Sequence, residues 1–314
     1  LYTGDGSSDR QITGVGFDPD WVWIKNRSNS GYNHILTDTS RGAGKEIFSD
    51  LVAAEDTTNT NKLEAFITDG FQLATSPHGS VNSNTHTYVA WNWKANGGTT
   101  SSNGNGSITS TVQANTTAGF SIVLYTGNAT AGATVGHGLG AAPDWYFIKR
   151  RSNTGDWLVY HSANTAAPET DFLKLNEENA TEANNVAWND TAPTSTVFSL
   201  GTSTDVNENG NNYVAYCFRE VEGYSKFGSY TGTSASNGPF VFCGFRPAWI
   251  MVKRTDSTNN WNIVDAVRDP INVADAYVNA NSDDAEASYT FWDFTSNGFK
   301  IRNAEGAINN AASY

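Results

Sequence analysis

Gly140-Ala141-Ala142-Pro143-Asp144-Trp145-Tyr146-Phe147-Ile148-Lys149 is one of three near-copies of a single stretch. The others are Gly16-Phe17-Asp18-Pro19-Asp20-Trp21-Val22-Trp23-Ile24-Lys25 and Gly244-Phe245-Arg246-Pro247-Ala248-Trp249-Ile250-Met251-Val252-Lys253. In each, a Gly and a Pro close a loop, an unbroken apolar run follows, and a Lys ends it. Continuous apolarity between turn signals reads as a β-strand covered on both faces. Three such strands in one chain mean an internal repeat, and the repeat predicts the architecture.

Working outward, Tyr2-Thr3-Gly4 matches Tyr125-Thr126-Gly127 and Tyr230-Thr231-Gly232. Each unit then runs through a polar turn, the key strand, a polar hairpin and a second apolar strand, as in Trp157-Leu158-Val159-Tyr160 and Trp261-Asn262-Ile263-Val264. A variable Asn-, Asp- and Ala-rich stretch follows. After it come alternating strands such as Asp69-Gly70-Phe71-Gln72-Leu73 and Asn297-Gly298-Phe299-Lys300-Ile301. A closing hairpin is expected around Val81-Asn82, Val206-Asn207 and Ile308-Asn309, and then a last strand, Tyr88–Trp93 or Tyr213–Phe218. No segment carries a sustained helical period. The expected fold is all-β: three tandem antiparallel β-sandwiches, jelly-roll or lectin-like, with packing about a pseudo-threefold axis as the alternative.

The expected divisions are residues 1–95, a linker at 96–118, 119–222 and 223–314. Asn96 to Asn105 is almost wholly Asn, Gly, Thr and Ser, a flexible linker by composition, with a short extra strand expected in Ser107–Val112. Units 2 and 3 have no such linker and are expected to pack the more intimately. The third unit stops where its last strand should begin, and the first lacks the apolar lead-in of the others. The stretch is therefore expected to be a fragment of a longer chain, or its flanking strands to come from elsewhere.

Composition narrows the function classes. Nineteen Lys and Arg against 32 Asp and Glu give a net charge of −13, which repels phosphate backbones and anionic membranes. No nucleic-acid partner, no membrane insertion and no cofactor are expected. Cys217 and Cys243 form no metal pattern; free thiols fit better than a disulfide, which stays open.

The motifs resemble a family of phage virion proteins, chiefly tail or fibre components, from phages of aquatic bacteria. The likeness rests on Tyr125-Thr126-Gly127, on Val135-Gly136-His137-Gly138-Leu139-Gly140 and on Ala192-Pro193-Thr194-Ser195-Thr196-Val197-Phe198. Gly244–Trp249 and the run from Val221 to Gly232 add to it, so it covers essentially the whole chain. It implies a virion location, other virion proteins as partners, and a part in adsorption or in building the particle. By analogy with fibres it implies a homotrimer, although three repeats in one chain could supply the threefold arrangement in a monomer.

Each candidate site also has a plain structural reading. Asp205-Val206-Asn207-Glu208-Asn209-Gly210 begins like a calcium loop, but Tyr216 stands where the bidentate Glu should be, and the other units lose the acids. A turn is expected there and no metal. The pairs Asp38/Arg41 and Asp265/Arg268 recur after the second apolar strand, with His161 in the Asp position of unit 2. They are candidates for gripping a sugar or carboxylate, or for tying down a loop. Of ten tryptophans, eight sit in expected core strands. Trp188 and Trp292 fall in or beside the variable stretch and, with Asn189 and Tyr289, are the candidates for stacking on a host-surface glycan.

Catalysis is not expected. The loop acids Asp171, Glu177, Glu178, Asp283, Asp284 and Glu286 do not recur between units, and no nucleophile elbow is present. His137, between glycines, reads as part of a turn. A tail-fibre or spike component acting in host attachment is the leading expectation. A purely structural shaft or capsid decoration comes second, and a polysaccharide depolymerase third.

Overall fold

The computed structural model describes residues 1–58, 61–74 and 78–314. It is all-β, built from antiparallel sheets, as expected. The key strands are Trp21–Asn26, Trp145–Arg150 and Trp249–Val252. Their alternate residues enter two different cores. Val22 and Ile24, Tyr146 and Ile148, and Ile250 and Val252 each point into the core of their own unit. Trp21, Trp23, Trp145, Phe147, Trp249 and Met251 point the other way, into one core that draws on all three units. That second core is why the key strands carry no polar face.

In unit 1 the strands Tyr2–Thr3, Thr87–Trp93, Trp21–Asn26 and Ile35–Asp38 form one sheet in that order. Gln11–Thr13, Gly70–Leu73 and Leu63–Ile67 form the facing one. Unit 2 repeats the order with Phe120–Thr126, Asn212–Phe218, Trp145–Arg150 and Trp157–His161, opposite Ala133–Gly136 and Val197–Leu200. In unit 3 a hairpin of Ala274–Asn279 and Ala287–Thr295 joins the two layers into one six-stranded ladder.

One correction concerns the Val/Ile-Asn segments, which are not hairpins. Gly79–Asn82, Thr204–Asn207 and Gly306–Asn309 are single helical turns. The reason is the buried Asn. Asn82, Asn207 and Asn309 accept the backbone N–H of Asp5, Asn128 and Thr233 at 3.1, 3.0 and 2.8 Å. Their amides donate to the carbonyls of Ser7, Thr130 and Ala235. Each turn is thus sewn to the loop after Tyr-Thr-Gly. Asn209-Gly210 does form a turn, with Gly210 at φ 77°, but between a helical turn and a strand.

A stacked tyrosine pair marks the same place in every unit: Tyr2/Tyr88, Tyr125/Tyr213 and Tyr230/Tyr314, with centroids 4.9, 5.1 and 5.0 Å apart. One hydroxyl of each pair donates to the helical turn at Val81, Val206 or Ile308. The second does so at Gly79, Thr204 or Gly306.

The expected linker is not a loose spacer. Ser101–Asn103 and Ser110–Asn115 form a hairpin that extends the large sheet of unit 2. Asn96 and Gly98 donate to Gln113 Oε1, while Ala95, Gly97 and Gly98 donate to the buried Asp20 carboxylate. Composition suggested flexibility, but Asp20 and Gln113 satisfy the Gly-rich backbone. Units 1 and 2 are also tied by bonds of the kind that join units 2 and 3, where the latter were expected to pack the more intimately.

At each seam one unit's key strand reaches its neighbour. Lys149 Nζ donates to Leu51 O, Lys25 Nζ to Asp283 O and Lys253 Nζ to Glu178 O. A ring N–H from the residue paired with each Lys follows. Trp157 Nε1 donates to Phe48 O at 2.7 Å and Trp261 Nε1 to Lys174 O at 2.9 Å. In unit 1 His34 stands there, with Nε2 2.9 Å from Asn279 O and Nδ1 accepting from Trp23 Nε1, the neutral tautomer. Backbone bonds Glu55–Arg151, Glu286–Arg27 and Thr181–Thr255 complete the set, each 2.9 Å. Unit 2 leans on unit 1, unit 1 on unit 3, and unit 3 on unit 2, so the seams close a ring of pseudo-threefold character.

Candidate functional site

The residues singled out as ligand contacts do not converge. Trp188 and Trp292 are fully buried, in the separate cores of units 2 and 3. Trp188 packs edge-on to Tyr146 and donates its indole N–H to Asp171 O at 2.9 Å. Trp292 packs against Phe291 and Phe299. Trp188 enters its unit's core from a turn and Trp292 from the strand Ala287–Thr295, and burial leaves neither ring free to stack on a sugar. Asn189 is half-buried in a tight turn at φ 55°, its N–H bonded to Asn185 O. Tyr289 alone of the four is exposed.

Asp38/Arg41 and Asp265/Arg268 serve the seams and are closed to ligands. Arg41 Nε lies 2.5 Å from Asp38 Oδ2, with both side chains inaccessible. The same guanidinium donates to Leu36 O, Lys45 O and Glu55, and Glu55 is held in turn by Arg151 of unit 2. Tyr216 of unit 2 donates its hydroxyl to Asp38 at 2.7 Å. Arg268 repeats the arrangement with Asp265, Ile263 O and Glu286, while Arg27 grips Glu286 in two bonds of 2.7 and 2.6 Å. Here Trp91 of unit 1 supplies the donor to Asp265, at 3.1 Å. Burial of such charges is tolerable because each carboxylate oxygen accepts at least one bond.

The third seam is built differently. His161, Asn164, Thr181 and Thr255 stand where the others have Asp, Arg, Glu and Arg. All four charges are gone together. Thr181 Oγ1 donates to Asn164 Oδ1 at 2.8 Å, while the Asn164 amide has no partner although only 8% of the residue is exposed. His161 Nδ1 accepts from Ala163 N, and burial holds the ring down to a pKa of about 4. Beside it lies a groove of about 580 Å³, lined by Ala163–Ala166 of unit 2 and by Ser229, Tyr230, Thr231 and Ser313 of unit 3. Sequence reasoning noticed His161 but not the groove. The signal was present in the joint loss of the Asp and the Arg.

Other notable groups also serve the fold. Asp205 accepts Asp156 N–H, and Glu208 pairs with Arg150, so the resemblance to a calcium loop is local turn chemistry. Among the described residues no group of His, Cys, Asp and Glu is placed to hold a metal. His137 is buried, accepting from Leu139 N. Cys217 is buried and Cys243 half-buried, both free. Among the described residues no helix is long and apolar enough to cross a membrane.

The fold and its seams thus define a class: an all-β protein of three repeated units closed around a common aromatic core. The chain belongs to the DUF7483 family, described as a domain of unknown function, whose family model matches residues 1–314. No curated protein and no solved structure shows significant similarity to it.

Proposed function

We propose that this chain is a non-catalytic structural module of a phage virion, a rigid body within a tail-fibre, spike or decoration assembly. The observation that carries the reading is that the recurring polar groups suited to gripping a ligand are consumed inside the seams. Asp38, Arg41, Asp265 and Arg268 meet one another and neighbouring units, and Trp188 and Trp292 fill cores. The phage assignment itself rests on the sequence resemblance. The acidic charge suits a soluble surface component.

Host attachment is kept as a second reading because one loop of unit 3 exposes apolar side chains. Val267 is 63% and Ile271 80% exposed, with Val273 alongside them in the loop. Such residues on a held loop can contact a receptor. Localising the chain by cryo-electron microscopy of the particle tests both readings. A place along a shaft or over a shell supports the structural role. A place at a fibre tip, with Val267 and Ile271 outward and purified protein blocking adsorption, replaces it with attachment. Absence from virions refutes both.

A further inference from the structure

One core position differs in kind between the units. Leu36 bridges Ile47 as Val159 pairs with Leu173 and Ile263 with Val278. The residue before each of these partners, Glu46, Phe172 or Tyr277, therefore falls at one place. In units 2 and 3 it gives a ring to the unit's own core. Unit 1 puts a carboxylate there instead, and Glu46 is fully buried.

Lys62 lies against it. The ammonium touches Glu46 Oε2, and only 8% of the lysine side chain is accessible. Nζ also stands 5.7 Å from the centre of the Phe48 ring, which belongs to the core of unit 1. Among the described residues no donor meets either Glu46 oxygen in hydrogen-bond geometry. Burial pushes the carboxyl up to about 7. A buried pair with lone pairs unmet stabilises a core no better than the rings it replaces. What it does supply is an amine and a carboxyl in contact, with water shut out.

We propose that Lys62 and Glu46 form an isopeptide bond, a covalent cross-link that the folded chain makes from its own side chains. Exclusion of water favours neutral partners over charged ones, so a proton passes from the Lys62 ammonium to the Glu46 carboxylate. The Nζ lone pair forms a bond to Glu46 Cδ. A proton from Nζ goes to the departing hydroxyl, the C–O bond breaks and water leaves. Ammonium and carboxylate become amide and water, so charge balances and nothing is oxidised or reduced. Asp56 is placed to carry the proton. It exchanges two backbone bonds with Glu46, of 3.0 and 2.9 Å, so the two side chains share a face of the ladder. The bond closes a loop between residues 46 and 62 and restricts the unfolded chain as a disulfide does, without sensitivity to reductants. This inference does not rest on the virion reading.

The test is the intact mass of the purified, folded chain, read after denaturation. It should fall below the sequence mass by one water. No Lys or Arg lies between Lys45 and Lys62, and the next after Lys62 is Lys94. Trypsin should therefore fail to cut after Lys62 and release Glu46 to Lys94 as one peptide. A further cut after Glu55 should leave Glu46 and Lys62 in one linked species. Lys62→Arg should show its full sequence mass, and Asp56→Ala should slow formation of the link by about tenfold or more. A parent chain of full sequence mass, both fresh and after prolonged incubation in the folded state, overturns the proposal. So does a water lost equally from Lys62→Arg or from the parent held unfolded in urea. An unchanged rate in Asp56→Ala overturns the part given to Asp56.

Discussion

The hydroxyl of Tyr216 lies 2.7 Å from Asp38 Oδ2, although the two residues belong to different repeats and are 178 positions apart. Through that bond the last strand of unit 2 is tied to a buried ion pair of unit 1. Trp91 does the same for Asp265 with an indole in place of a phenol. Tyr216→Phe removes the donor and leaves a buried carboxylate one bond short. The expected cost is about 2 kcal/mol, read from the urea midpoint, with the fold retained.

Breaking the ion pair itself costs more. Asp38→Ala leaves Arg41 buried with Glu55 as its remaining carboxylate partner, and a loss of about 3–5 kcal/mol is expected. Replacing Asp38 and Arg41 together by apolar residues of similar size should recover most of that loss. Chemical denaturation of both variants checks the order. A ligand-gripping role would instead leave stability unaffected.

The third seam offers a test of equivalence. Asn164→Arg places a guanidinium where neither His161 nor Thr181 offers a carboxylate, and should destabilise by about 2–4 kcal/mol. Adding Thr181→Glu restores the partner that Glu55 and Glu286 provide elsewhere. Thermal denaturation of the single and double variants should show the second change repairing much of the first.

Asp50 gives a pH signature. Its Oδ1 accepts His34 N–H, as Asn176 and Asn281 accept those of Trp157 and Trp261. Its Oδ2 has no hydrogen-bond partner, and burial pushes the carboxyl up to about 7. The folded state thus holds a proton that the unfolded chain has released, and this contribution falls as pH rises from about 4 through 7. Asp50→Asn should match the parent near pH 4 and exceed it by about 1–2 kcal/mol at pH 8. Urea titrations at the two pH values check the sign.

Trp188→Ala should cost about 3–5 kcal/mol through an unfilled cavity, while Tyr289→Ala should stay within about 0.5 kcal/mol of the parent. Circular dichroism melts of the two separate a core tryptophan from a surface aromatic.

The repeat, its all-β class and the two-faced burial of the key strand were determined by the sequence alone. Local alternation and turn residues encode them, and three copies reinforce one another. The helical turns at Val81, Val206 and Ile308 were not, because a single turn has too few residues to show a period, and its stabilising Asn contacts lie more than 70 positions away. Trp188 and Trp292 were misplaced on the surface because the burial of a turn residue such as Trp188 depends on what folds over it, and because Trp292 belongs to a strand, Ala287–Thr295, that the variable stretch did not reveal. Asp38, Arg41, Asp265 and Arg268 could be picked out as pairs, but only the ring of seams decided that each pair faces a neighbouring unit. Local preference acts over a few residues, whereas the bonds from Trp157 to Phe48 and from His34 to Asn279 exist only once the whole chain has closed on itself.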